Sequence, residues 1–402
     1  MRLTRLPAAA LAVVLTATAC GGDDATAPTP TTAIGPAPVW TAVAPTGIPP
    51  DRLTEVQGGA GWDKGFALAG RHTVPAAPND EGRVNDLVPD VATSPDGATW
   101  TTAALDGLVK VAHQTPVAGH RDAVYVAGAT TGGAAVWRSE DGASWTRTLL
   151  TRSRPGEALS AVAAGPRGIV VAGFDRPMPV LDNDDIDNRD YDGLRVWHSA
   201  DGKAFTGPHT VDIPGLRSGY LPNAAASADG FTLFGVHADS PDTIAFSSTN
   251  GTEWTADDPG SRRGRALTLT RRDDLSVMFT DPTTTDGDPG PTAWRHRTGE
   301  DDWTPSQDVT VGLLPDANIE SPEKQRIRQL TTSRGWFVAT GTSGAGGGVW
   351  LSQDAAHWER VPVKENGFDT VSNLTVLTND TAIILADHTS SGDGLLKIWK
   401  AT

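Results

Sequence analysis

VWRSEDGASW, residues 136–145, is the stretch that decides the fold. Val136 and Trp137 open it, Ser139, Asp141 and Gly142 occupy its centre, and Trp145 closes it. Short polar side chains such as Ser and Asp accept hydrogen bonds from backbone N–H groups in a tight turn, where Gly takes positive φ without strain. The decamer therefore reads as a hairpin turn between two strands, with Trp145 dropping into a seam between packed sheets.

The pattern recurs. VWHSADGKAF ends at Phe205, AFSSTNGTEW at Trp254 and VWLSQDAAHW at Trp358, and VATSPDGATW (ending at Trp100) and AWRHRTGEDDW (ending at Trp303) are looser copies. These supply the turn positions Ser94, Asp96, Gly97 and Trp100; Ser199, Asp201, Gly202 and Phe205; Ser248, Asn250, Gly251 and Trp254; and Ser352, Asp354 and Trp358. IWKAT at the C-terminus holds Trp399 at the first aromatic position and then stops, whereas VWTAVAP near the N-terminus holds Trp40 at the second. Joined, the two ends make a seventh unit. Between successive turns lie near-continuous apolar runs, among them GFALAG at 65–70, GIVVAG at 168–173 and AIILAD at 382–387, as expected of strands covered on both faces. Spacing of this kind predicts an all-β, seven-bladed β-propeller over residues 38–402, with four-stranded blades and one blade closed by the N- and C-terminal strands.

The repeat resembles the Asp-box, or bacterial neuraminidase repeat, S-x-D-x-G-x-x-W, with one residue fewer between Asp and Gly. The resemblance implies that the motif is structural and lies away from the functional face. It further implies either a sialidase-like glycoside hydrolase or a non-enzymatic propeller of the kind that assists assembly or glycan processing. Sialidases carry an arginine triad, a Tyr–Glu nucleophile pair and an early Phe/Tyr-Arg-Ile-Pro motif. Here Arg-Ile-Pro is absent, and Tyr125, Tyr191 and Tyr220 are the only tyrosines. The reading is a binding scaffold, a monomer recognising a glycan, peptide or protein partner.

Residues 1–20 read as an export signal: Arg2 and Arg5, an apolar stretch from Pro7 to Ala19, then Ala17-Thr18-Ala19-Cys20-Gly21. This resembles a bacterial lipobox, in which the cysteine is lipidated and becomes the mature N-terminus, so Cys20 is the expected membrane anchor on the extracytoplasmic face. Residues 21–37, rich in Pro, Thr and Ala, read as an extended tether. The formal net charge of −16, or −18 once Arg2 and Arg5 are removed, argues against nucleic acid as a partner.

Long connections carry function on a regular scaffold. The most distinctive one, 180–193, holds Asp182, Asp184, Asp185, Asp187, Asp190 and Asp192 beside Tyr191. Alternating Asp and Asn oxygens suit Ca²⁺, and Asp182, Asp184, Asp187, Asp190 and Asp192 are its candidate ligands, with no cofactor required otherwise. Tyr191, Tyr220, Asn223, Arg328 and Asn373 are candidate contacts on the ligand face. No catalytic residue is assigned. Nine histidines stand singly, and no local zinc motif is formed.

Overall fold

The computed structural model describes residues 37–75, 85–108, 116–151, 157–177, 194–212, 223–236, 243–257, 265–281, 291–298, 300, 302–306, 326–343, 346–362, 366–368, 371, 374–388 and 396–401. Their strands form seven four-stranded antiparallel sheets, the blades, each in sequential order from an inner to an outer strand. Blade 7 alone draws on both chain ends. Its outer strand is β1 (Trp40–Val43).

Blade 1 holds β2 (Glu55–Trp62), β3 (Gly65–Pro75), β4 (Asn85–Ser94) and β5 (Thr101–Ala103). Blade 2 holds β6 (Val117–His120), β7 (Ala123–Thr130), β8 (Gly133–Ser139) and β9 (Thr146–Leu149). Blade 3 holds β10 (Glu157–Gly165), β11 (Gly168–Pro177), β12 (Leu194–Ser199) and β13 (Thr206–Val211). In blade 4 these are β14 (Asn223–Ala226), β15 (Phe231–Val236), β16 (Thr243–Ser248) and β17 (Thr255–Asp257). Blade 5 has β18 (Arg265–Arg272), β19 (Leu275–Asp281), β20 (Thr292–Arg297) and β21 (Thr304–Pro305). Blade 6 has β22 (Arg326–Ser333), β23 (Trp336–Ser343), β24 (Gly346–Ser352) and β25 (Glu359–Arg360), and blade 7 continues with β26 (Leu374–Thr378), β27 (Ile383–His388) and β28 (Leu396–Ala401).

The near-continuous apolar runs form the second strands of their blades, as in β3, β11 and β27. All eight residues of β7 are buried, as are Ile383 to Asp387 of β27. Burial on both faces comes from the neighbouring blades, which explains the lack of alternation. Because each blade is a meander, the hairpins joining first to second strands share one end of the ring with the Ser–Asp turns between third and fourth strands. This is the turn end. The connections between second and third strands, and between blades, share the other, the loop end.

Ring closure follows the expected pairing. Trp40 lies opposite Ala401, Thr41 opposite Lys400, Ala42 opposite Trp399 and Val43 opposite Ile398. Phe368 sits between the two tryptophans, its ring centroid 6.1 Å from Trp40 and 5.3 Å from Trp399, both edge-on. Deleting residues 396–402 removes β28 and leaves β1 without a partner, a loss comparable to the roughly 5–15 kcal/mol stability of a typical domain. The truncated protein is expected to lack a cooperative thermal transition; a melt like that of the full chain would contradict this closure.

Candidate functional site

The Ser–Asp turns show a shared hydrogen-bond scheme. Gly97, Gly142, Gly202 and Gly251 each donate their N–H to Oγ of Ser94, Ser139, Ser199 and Ser248 at 2.8 Å, and Ala355 does so to Ser352 at 2.9 Å. The carboxylate then caps the next turn: Ala143 and Ser144 donate to Asp141 Oδ1 at 2.8 and 2.7 Å, and Ala98 and Thr99 to Asp96 Oδ1 at 2.8 Å. Asp201 and Asp354 accept in the same way from Lys203 and Ala356, and Asn250 from Thr252 and Glu253. Trp100, Trp145 and Trp358 close each unit by donating Nε1–H to the carbonyl of the residue three before. Phe205 and Trp254, which hold this position in blades 3 and 4, are half-buried in neighbouring seams.

These turns also join blade to blade. The four glycines have φ of 71–77°, and an added Cβ would stand 2.5 Å from Ile384 at Gly97, 2.4 Å from Tyr125 at Gly202 and 2.4 Å from His198 at Gly251, each contact lying on the preceding blade. Blade 6 has Ala355 at this position, buried at φ 60°. Gly202→Ala combines an unfavourable backbone conformation with a clash in a packed seam and should cost about 2–4 kcal/mol. Ala355→Gly relieves only the backbone term and loses a buried methyl, so its net effect should stay within about 1 kcal/mol. Chemical denaturation measures both, and equal losses would refute the seam argument.

The amide donors also set the acid response. Donation from the Ser144 and Ala143 N–H groups lowers the Asp141 carboxyl from 3.8 to about 2. N–H donors from Thr99 and Ala98 lower Asp96, and that of Lys203 lowers Asp201. At Asp354 burial pushes upward, but hydrogen bonds from His357 and Ala356 outweigh it and the net shift is also downward. A carboxylate depressed on folding stabilises the protein above its unfolded pKa, and that contribution is lost as pH falls through the folded value. Stability should therefore fall between about pH 4 and pH 2. Replacing Asp96, Asp141, Asp201 and Asp354 together by Asn, the residue blade 4 already uses, should flatten that limb in pH-dependent melts, and an unchanged slope would disprove the assignment.

A central cavity of about 430 Å³ is walled by all seven inner strands. Asn223 at the start of β14 and Arg328 in β22 both line it. Blades 1 to 4 present mainly small residues, Gly58 to Gly61, Ala118 and Gly119, Ala161, Ala163 and Ala164, and Ala224 to Ala226, alongside Glu55, Gln57, Val162 and Phe234. Blades 5 to 7 present Thr268, Leu269, Gln329 to Thr331 and Leu374 to Val376. At the turn end the wall is tight. A Cβ on Gly61 would stand 2.1 Å from the Thr378 carbonyl oxygen, and one on Gly119 2.0 Å from that of Gly61. At the loop end Glu55 is held by Arg71 through two bonds of 2.7 and 3.0 Å.

One buried cluster near this mouth has no counterpart in the sequence reading. Asp90, 6% exposed, accepts from His72 Nδ1 and the Leu53 N–H, both at 2.7 Å, and from Arg52 at 3.0 Å. These bonds fasten the β1–β2 connection, including the buried Leu53 at φ 49°, onto blade 1. An Asp within the apolar run VPDVATS, and a His on the strand paired with it, were the available signal.

Cys20, Tyr191, Tyr220, Asn373 and the aspartates of 180–193 lie outside the described residues. Among the described residues no three His, Cys, Asp or Glu side chains are placed to hold a metal, and no helix is long and apolar enough to cross a membrane.

No family model and no curated protein matches the chain. Solved structures share its fold. The structure of YCF48 bound to D1 peptide matches 90% of this chain and 94% of that one at 13% identity, with a TM-score of 0.53. Looser likenesses are a Trypanosoma rangeli sialidase (12% identity, 83% of this chain but 59% of that one, TM-score 0.42) and an Aleuria aurantia lectin mutant in complex with alpha-methyl-L-fucoside (10%, 88% and 93%, 0.44).

Proposed function

We propose that this protein is a lipid-anchored, extracytoplasmic binding propeller that takes an extended segment of a partner protein at the loop-end mouth of its central cavity. The observation that carries the reading is the construction of the cavity wall. Each inner strand pairs with another strand on one side only, so its other edge lies toward the cavity. There the Val376 N–H donates to the Gln329 side chain at 2.8 Å, showing that this edge can hold a hydrogen-bonding group. Small side chains over open main-chain edges suit a partner held through its own backbone, as in strand addition. About 430 Å³ lies within the range of ligand sites and accommodates a few residues. The match to a propeller solved with a peptide bound agrees with this choice over a glycan.

Hydrolysis of a glycoside, the alternative, uses two carboxylates about 5–9.5 Å apart in most such enzymes and a tyrosine nucleophile beside a glutamate in sialidases, and no tyrosine lines the cavity among the described residues. Glu55 is the one carboxylate among the described lining residues, and Arg71 occupies both its oxygens. Anchoring rests on Cys20 and the sequence before it.

A photo-crosslinking amino acid at Gln57 or Asn223, in cells, should capture a discrete protein band that the same group at Lys203 on the turn end does not. Cys20→Ser should release the protein from the membrane fraction while leaving the purified protein's melt unchanged. Capture from Lys203 alone, or sialic acid release by the purified protein, would overturn the binding reading, and membrane retention of Cys20→Ser would overturn the anchor.

A further inference from the structure

An asparagine followed by glycine is prone to attack on its own side chain, because the glycine nitrogen, with no Cβ beside it, reaches the preceding carboxamide unhindered. That nitrogen bonds to Cγ, the Cγ–Nδ2 bond breaks, and Nδ2 leaves as ammonia with the proton of the main-chain amide. Water then opens the resulting succinimide at either carbonyl. One opening gives aspartate; the other gives isoaspartate, in which the main chain runs through Cβ and Cγ and is one carbon longer. The chain holds two such pairs, Asn250–Gly251 and Asn366–Gly367. We propose that Asn366–Gly367 is a site of spontaneous deamidation that loosens the ring closure, and that the Ser248 turn holds Asn250–Gly251 back from the same reaction.

The pairs differ in the groups that must meet. At the first, the attacking nitrogen is occupied, because the Gly251 N–H donates to Ser248 Oγ at 2.8 Å in a buried bond. The carboxamide is occupied as well, its Oδ1 accepting from the Thr252 and Glu253 N–H groups, both at 2.9 Å. Gly251 is buried against blade 3, where a Cβ would stand 2.4 Å from the His198 ring. Closing the five-membered ring there requires the turn to open first, and the free energy of that opening adds to the barrier. At the second pair Gly367 is exposed, and beyond its chain neighbours a Cβ would meet nothing nearer than Trp399 Nε1 at 4.0 Å. Among the described residues the Asn366 side chain makes one bond, from Nδ2 to the Pro362 carbonyl at 2.7 Å, on the exposed surface. Phe368, which follows directly, is fully buried and is the ring set between Trp40 and Trp399. One more main-chain carbon between residue 366 and Gly367 changes how the chain enters that contact, and a close-packed interior takes up such a change only by losing contacts.

The full-length protein is aged in mildly alkaline buffer, folded or in urea, and digested; peptide mapping with an isoaspartyl methyltransferase quantifies aspartate and isoaspartate at each pair. Protection is the rate in urea divided by the rate in the folded protein. It should be at least about tenfold greater at Asn250 than at Asn366, the rate equivalent of about 1.4 kcal/mol of local stability. Ser248→Ala, which frees the Gly251 N–H, should narrow that difference. Equal protection at the two pairs, or no conversion of Asn366 in the folded protein, overturns the proposal, and an unchanged difference in Ser248→Ala overturns the role of Ser248. The effect on closure is read from melts. Aged protein should gain a transition below that of fresh protein, in proportion to its isoaspartate at residue 366. Asn366→Gln, whose longer side chain cyclises far more slowly, should keep a single transition on ageing. A lowered transition in aged Asn366→Gln, or an unchanged melt of protein converted at residue 366, overturns the link to ring closure.

Discussion

Pairing of Trp40–Val43 with Ile398–Ala401 is the constraint on which the ring rests. A blade buries its two faces only against its neighbours, so no blade is complete until the first and last meet. Without that pairing blade 7 would be three-stranded and its seam with blade 1 would be joined by side-chain packing alone. Main-chain pairing between the chain ends covers the outer edge of β28. The cost of closing so long a loop is modest, since closure entropy grows only as the logarithm of length, about 0.6 kcal/mol for each doubling. The aromatic contact of Trp40, Phe368 and Trp399 adds apolar burial at the same point, within a core that also takes in Trp336 and Val338 of blade 6.

The seams between the other blades depend on close approach rather than on large side chains alone. Four turns use a glycine both for its positive φ and for the space its missing Cβ leaves to the preceding blade. Blade 5 reaches a similar end differently. It lacks the Ser and Asp, and Glu300 instead accepts from the Arg297 N–H while Arg297 forks onto Asp274. Arg272 then crosses to blade 6, where it donates to the carbonyls of Gly335 and Gln353 and lies 4.3 Å over the Phe337 ring. A guanidinium with five fixed donors can serve two backbone oxygens and a π face at once, which a Ser–Asp pair cannot.

How much of this was legible in the sequence follows from which constraint each residue obeys. Second strands are covered on both faces and therefore read as apolar runs; the turn residues obey local backbone chemistry and therefore repeat. Inner strands obey neither rule. NAAA at 223–226 and GGAG at 58–61 have no period to detect, because they are chosen for how near one backbone comes to the next. Four inner strands, in blades 1, 3, 5 and 6, also shift register near their loop ends, at Val56/Gly58, Leu159/Ala161, Ala266/Thr268 and Ile327/Gln329. A bulge of this kind re-aims every side chain before it, and no composition signal marks it. The link of His72 to Asp90, 18 residues apart, likewise needs the β3–β4 register to be known first.

Small residues in blades 1 to 4 and larger ones in blades 5 to 7 make the cavity lopsided, and its narrow end explains what the scaffold leaves free to vary. Where Gly61 meets the Thr378 carbonyl and Gly119 meets that of Gly61, no side chain can be added without moving a backbone, so blades 7, 1 and 2 are fixed in composition at the turn end. At the loop end the same strands carry Glu55, Gln57 and Leu374, which have room for side chains of different chemistry. In blades 7, 1 and 2 the backbones thus pack most closely at the turn end of the inner strands, and room for side chains of different size is left to the loop end.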